Sequence, residues 1–168
     1  MVTVAILAIL AALAAPNFKG VIQRYEVRTA VEDLVSAIYL ARTEAIKRGG
    51  KVTLRKATTS GCQAPTVQEW SCGWQLFEDR NENGTLNSGT DTAIQQSPVP
   101  RNVNVLTKKG SGSGPDHYTF DAWGESGMGV LAIYVRHVDD AASDLDVMLC
   151  MSSGGRLRRI PGATECPT

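Results

Sequence analysis

The first fifteen residues, Met1 to Ala15 (MVTVAILAILAALAA), constrain this chain most. Thr3 is their only polar member, and no charge appears before Lys19. A run this apolar has to leave water, either into lipid or against copies of itself. As a helix rising ~1.5 Å per residue it spans about 22 Å, short of a bilayer's ~30 Å hydrocarbon core. No basic segment precedes it and no small-residue cleavage site is convincing, so it reads poorly as a secretory signal. It reads instead as the remainder of a membrane helix whose start lies upstream. Pro16 removes one backbone hydrogen bond within the run, which predicts a kink and not a hard stop.

Beyond Pro16 the helical period continues. Val27, Val31, Leu34, Val35, Ile38, Ala41 and Ala45 recur on one stripe, with Arg28, Glu32, Arg42 and Lys47 largely off it. Lys47-Arg48 followed by Gly49-Gly50 is a helix C-terminal signature. One long helix is predicted, amphipathic over its second half. After Gly50 the period shortens to that of strands. Lys51 to Ala57, Gly73 to Asp79, Val103 to Thr107, His117 to Asp121, Val130 to Val138, Leu145 to Met151 and Arg156 to Ile160 are the candidates. Turn signals separate them, including Asn83-Gly84, Ser97-Pro98 and the flexible Gly110–Gly114 stretch. Strands in succession without intervening helices imply antiparallel sheet, so the expected class is α+β, a long kinked N-terminal helix packed on antiparallel sheet. No linker divides the 168 residues. The expected organisation is an apolar transmembrane or filament-core part over 1–23 and a globular head over 24–168.

Net charge is zero, which argues against a uniformly basic nucleic-acid coat, but the charge is unevenly placed. Lys19 to Lys56 carries nine basic residues against Glu26, Glu32, Asp33 and Glu44, whereas Gly61 to Pro100 carries Arg80 alone against five acids. The four cysteines fall into close pairs, Cys62 with Cys72 and Cys150 with Cys166. Neither pair has metal-ligand spacing, so two disulfides in an oxidising compartment is the best reading, with four reduced core cysteines as the alternative.

Several of these residues together carry a resemblance. The stretch MVTVAILAILAALAAPNF is similar to the first helix of type IV pilins and type II secretion pseudopilins. A cysteine loop, then Gly73-Trp74-x-x-Phe77-x-Asp79-x-Asn81, Phe120-Asp121-x-x-Gly124, Cys150 and Gly155-Arg156-x-Arg158, resembles the FimT/GspH family of minor pilins and pseudopilins. The resemblance implies a type IV pilin-like fold. It also implies processing by a prepilin peptidase, storage in the bacterial inner membrane with the head in the periplasm, and extraction into a pilus with other major and minor pilins. Val4, Ile6, Leu7, Ile9, Leu10, Leu13 and Pro16 would then form the assembly helix, exchanging lipid for neighbouring helices. The glutamate that the family uses in assembly, and the leader before it, fall ahead of Met1.

The most informative polar stretch is Gly154 to Pro161. If it is a strand, Arg156 and Arg158 point to one face about 6.6 Å apart while Leu157 points to the core. Two guanidiniums so placed reach neighbouring phosphates of one nucleic-acid strand. The resemblance extends this to Gly155, Arg156, Arg158 and Arg159 as contacts for double-stranded DNA during natural transformation, with Lys108 and Lys109 widening the patch. The plainer reading is a solvated basic edge strand that blocks sheet-to-sheet pairing. Type II secretion pseudopilin and purely structural priming pilin are the competing functions. Asp79-x-Asn81-x-Asn83-Gly84 matches half of a calcium loop, but Thr90 stands where the bidentate glutamate belongs, so no metal is expected. Asp116-His117 with Ser152 or Ser153 has neither a nucleophile elbow nor paired carboxylates around it. No catalytic residue and no cofactor are assigned.

Overall fold

A computed structural model describes residues 2–4, 18–58, 60–109, 112–127, 129–139, 144–152 and 154–167. The expected kink at Pro16, and the assembly positions Ile6, Leu7, Ile9, Leu10 and Leu13, lie outside these residues. Val4 is described, helical and exposed. Among the described residues no helix is long and apolar enough to cross a membrane.

Helix α1 (Phe18–Arg48) buries the stripe that its period predicts, Val27, Ala30, Val31, Leu34, Val35, Ala37, Ile38, Ala41 and Ala45. Its end is set by backbone geometry. Gly49 and Gly50 take φ of 76° and 102°, and the Gly50 amide returns to the Ala45 carbonyl at 2.7 Å. Before the stripe begins, Phe18, Val21, Ile22 and Tyr25 stand exposed, an apolar surface that no other described residue covers.

Among the described residues nine strands follow in two antiparallel sheets. The first has the order β3-β2-β1-β6, from β1 (Val52–Lys56), β2 (Trp74–Glu78), β3 (Thr92–Gln96) and β6 (His117–Phe120). The second runs β5-β4-β7-β8-β9, from β4 (Val103–Lys109), β5 (Gly112–Ser113), β7 (Leu131–His137), β8 (Val147–Met151) and β9 (Leu157–Pro161). The core lies where α1 covers both, joining the helix stripe to Val52 and Leu54, Val103 and Val105, Ile133 and Val135, and Leu149 and Met151. Trp70 is fully buried against Tyr118, ring centroids 5.9 Å apart. Its segment is pinned to β4 by Trp70 N–H donating to Val105 O at 2.7 Å. Burial pushes the Tyr118 phenol up to about 12.

Two strands were not foreseen. β3 is exposed on nearly every residue, so it has no alternation to read; backbone pairing with β2 alone recruits it. Gly112–Ser113, read as part of a flexible loop, pairs with Lys108 and Lys109. Both disulfides are present, Cys62–Cys72 and Cys150–Cys166, each with Cα atoms 5.7 Å apart.

Candidate functional site

The edge strand β9 carries the arginines, and the pleat sorts them. Its register against β8 sets Leu157 opposite Met151, Arg158 opposite Cys150 and Arg159 opposite Leu149. Leu157 packs on the helix-side core, whereas Ile160 packs on a second cluster of Ala132, Tyr134, Met148 and Cys150. Alternation therefore puts Arg158 on the outer face and Arg159 on the helix side. Arg156 continues the ladder by one step, since Ser152 N–H donates to Arg156 O at 3.1 Å, and it shares the outer face with Arg158. Both side chains are exposed, and neither has a hydrogen bond or ion pair among the described residues.

Arg159 is differently occupied. Its guanidinium forms a bidentate pair with Glu32 of α1, Nη2 reaching Oε2 at 2.8 Å. That hydrogen bond holds the Glu32 carboxyl below its ordinary value and raises Arg159 in turn. The pair closes one end of a groove of about 320 Å³ over Val27, Val31, Leu145 and Val147. Arg24 at the groove's rim faces Asp144 at 3.9 Å. Helix-side positive charge is thus largely matched by acids, and outer-face charge is not.

The outer face continues across the sheet. Pairing places Ser113, Lys108, Ala132, Cys150 and Arg158 in one cross-strand row. Lys108 and Arg158 lie three strand spacings apart, about 14 Å. The C-terminal segment crosses between them, with Ala163 and Cys166 packed on the outer cluster. The Cys150–Cys166 bond fixes that segment beside Arg158. Lys108 Nζ donates to Thr164 O at 3.1 Å and sits 4.9 Å above the Tyr134 ring. Glu165 is the segment's one acid. Lys109, next in the strand, has the opposite parity, and both lysines line a cavity with Ser113, Gly114, Pro115 and Tyr118. The six predicted residues are therefore not one patch. Arg156 and Arg158 stand together, Lys108 shares their face at a distance, and Arg159 and Lys109 face elsewhere.

Gly155, expected as a DNA contact, is buried, and what approaches it is Arg42 of α1. Arg42 Nη1 donates to Gly155 O at 2.6 Å and Nε donates to Gly124 O at 2.9 Å. Gly155 has φ 77°, and a Cβ there would overlap the Arg42 guanidinium. Arg42 is thus a brace between the β8–β9 turn and the turn after β6. Sequence reasoning passed over it as one charge beside the helix stripe. Its signal lay in the two glycines at 124 and 155, each needing close approach to something.

The remaining candidates resolve into structure. Asp79 is fully buried and accepts from Thr53 Oγ1 (3.1 Å), Asn83 N (3.1 Å) and Gly84 N (2.8 Å), so its carboxylate organises the turn. Among the described residues no cluster of three or more His, Cys, Asp or Glu side chains is arranged to hold a metal. Asp116 bonds His117 Nδ1 at 2.7 Å and faces Arg55 at 2.9 Å. Burial opposes the Asp116 charge, yet these two partners outweigh it and hold its carboxyl below the ordinary value. The pair adjoins β6 in the first sheet, whereas Ser152 follows β8 in the second.

Comparison with known proteins agrees with this architecture. Crystal structures of the type IV minor pilin FimU from Pseudomonas aeruginosa strain PAO1 superpose with TM-scores of 0.60 and 0.57, both at 20% identity. The first match covers 83% of this chain and 92% of that one, the second 80% and 93%. Comparison with curated proteins gave no match. Residues 30–158 match the family of type II transport protein GspH, a span from the first core turn of α1 to Arg158. The chain belongs to the GspH family and has a type IV pilin-like fold.

Proposed function

We propose that this protein is a minor pilin of a type IV pilus whose head captures double-stranded DNA, weakly and without sequence preference, for uptake in natural transformation. The observation that carries this reading is the exposed Arg156–Arg158 pair, two guanidiniums on one face with no acid engaging them. Arg24, Arg48, Arg55 and Arg159 each face a carboxylate, whereas Arg156 and Arg158, like Arg28 and Arg101, have no ion pair among the described residues; what sets Arg156 and Arg158 apart is that they share one face at the start of one strand. Phosphate contact by guanidinium forks needs no base code, and nothing on this face reads base edges. Residues 1–23 serve as the membrane and filament-core part and 24–168 as the exported head. The uncovered Phe18, Val21, Ile22 and Tyr25 supply contacts to other pilins. A prepilin peptidase processes the chain before assembly.

The test is fluorescence anisotropy of labelled duplex DNA with the full chain in detergent. Arg156→Gln with Arg158→Gln is expected to abolish binding while leaving the thermal transition in place. With two or three phosphates engaged, by Arg156, Arg158 and Lys108, log K is expected to fall against log salt with a slope of roughly −2 to −3. A double variant that binds like the parent sinks the assignment. The family match itself favours a second reading, a pseudopilin of type II secretion. Under it the parent chain binds no DNA at low salt, and the same titration separates the two.

A further inference from the structure

Arg42 holds two turns with one guanidinium, and the second carries an exposed aromatic. Trp123 is 81% exposed, whereas Trp70 and Trp74 are buried. A single exposed apolar side chain is ordinary, but an indole offers a large flat face on which a planar group can stack. Its turn is tightly built. Asp121 Oδ1 accepts from Trp123 N and Glu125 N at 2.9 Å each, and Gly124 N–H donates to Asp121 O at 2.9 Å. Gly124 O then receives Arg42 Nε, and Gly155 O receives the Nη1 of the same side chain. Trp123 and Arg156 are therefore each one residue from a carbonyl gripped by one guanidinium. The turn that presents the indole is thereby tied to the turn that leads into Arg156.

We infer that Trp123 is a stacking platform for a nucleobase, so that this head prefers DNA with unpaired bases over closed duplex. The inference rests on the DNA-binding reading above and names the form of DNA the same site takes. Phosphates go to Arg156 and Arg158, and the base next to them lies on the indole. Stacking tolerates every base, which matches a face without a base-reading code. Of the neighbouring acids, Asp121 has one carboxylate oxygen committed to its two amides, and exposed Glu125 disfavours a second phosphate on that side. Charge thus directs the backbone towards Arg156 and the base towards Trp123.

The experiment uses the full chain in detergent, an oligothymidylate of about 16 nucleotides, and a relaxed, covalently closed circular duplex without loops or ends, compared at equal phosphate concentration. The oligothymidylate is expected to quench the emission of the exposed indole and to bind about 5- to 150-fold more tightly than the closed duplex. Trp123→Ala is expected to erase that preference while leaving duplex affinity within about twofold. Trp123→Phe retains part of the preference, which separates stacking from a change in fold. If the parent binds both forms equally, or Trp123→Ala keeps the preference, the inference falls and the DNA-binding reading stands. If the parent binds neither form, both fall. An indole quenched only by a partner pilin would identify a protein contact and also overturn it.

Discussion

Replacing Gly155 with alanine tests the Arg42 brace, and the neighbouring Gly154 is a built-in control. Gly155 sits at φ 77°, where an L-residue carries a backbone penalty of about 1–2 kcal/mol. Its new Cβ would also overlap the Arg42 guanidinium, which must swing off both carbonyls. Each bond from a charged donor contributes about 1.5–3 kcal/mol when its partners are withdrawn from water, less here because Arg42 is only half-buried. The total is about 3–5 kcal/mol, or roughly 8–15 °C in melting temperature for a chain of this size. At Gly154 a Cβ meets nothing within 4 Å and φ is not positive, so Gly154→Ala is expected within about 0.5 kcal/mol of the parent. Urea or thermal unfolding followed by circular dichroism measures both. In an Arg42→Ala background, Gly155→Ala should cost only its backbone share, about 1–2 kcal/mol. Equal effects at the two glycines, or an undiminished cost without Arg42, would refute the brace.

Asp79→Ala removes a buried acceptor shared by Thr53 Oγ1, Asn83 N–H and Gly84 N–H, of which the buried Gly84 amide keeps no other partner, and is expected to cost about 1–3 kcal/mol; a melt within 1 °C of the parent, or a calcium-dependent shift of the parent, would contradict its turn-organising role. Because Arg159 depresses the Glu32 carboxyl below 4.5, its ion pair stabilises the fold above that value and is lost as pH falls through the folded pKa. Glu32→Gln is therefore expected to unfold more easily than the parent near neutral pH and to converge with it in acid, read from urea midpoints across pH; a gap that widens in acid reverses the sign. Intact mass with and without reductant should differ by about four hydrogens, and each bridge is expected to contribute roughly 3 kcal/mol; identical masses would leave the two cystines unsupported.

Residues separated by a turn of helix or a pleat of strand are related by backbone geometry alone, and there the sequence was sufficient. The α1 stripe, its Gly49-Gly50 end, seven of the strands and the shared face of Arg156 and Arg158 all follow from periods of 3.6 and 2. The disulfides were legible because close cysteine pairs have few places to go. β3 was illegible because an edge strand exposed on both faces carries no pattern, only backbone pairing. The rest depends on which distant elements meet. Arg159 finds Glu32 across 127 positions, and Arg42 finds Gly155 across 113, neither of which a local period can indicate. Alternation already turns Arg159 to the helix side; the tertiary fold supplies Glu32 there and leaves Arg156 and Arg158 without a carboxylate among the described residues. Sequence chose the residues for that surface; the order of strands and the packing of one helix decided which of them remain available.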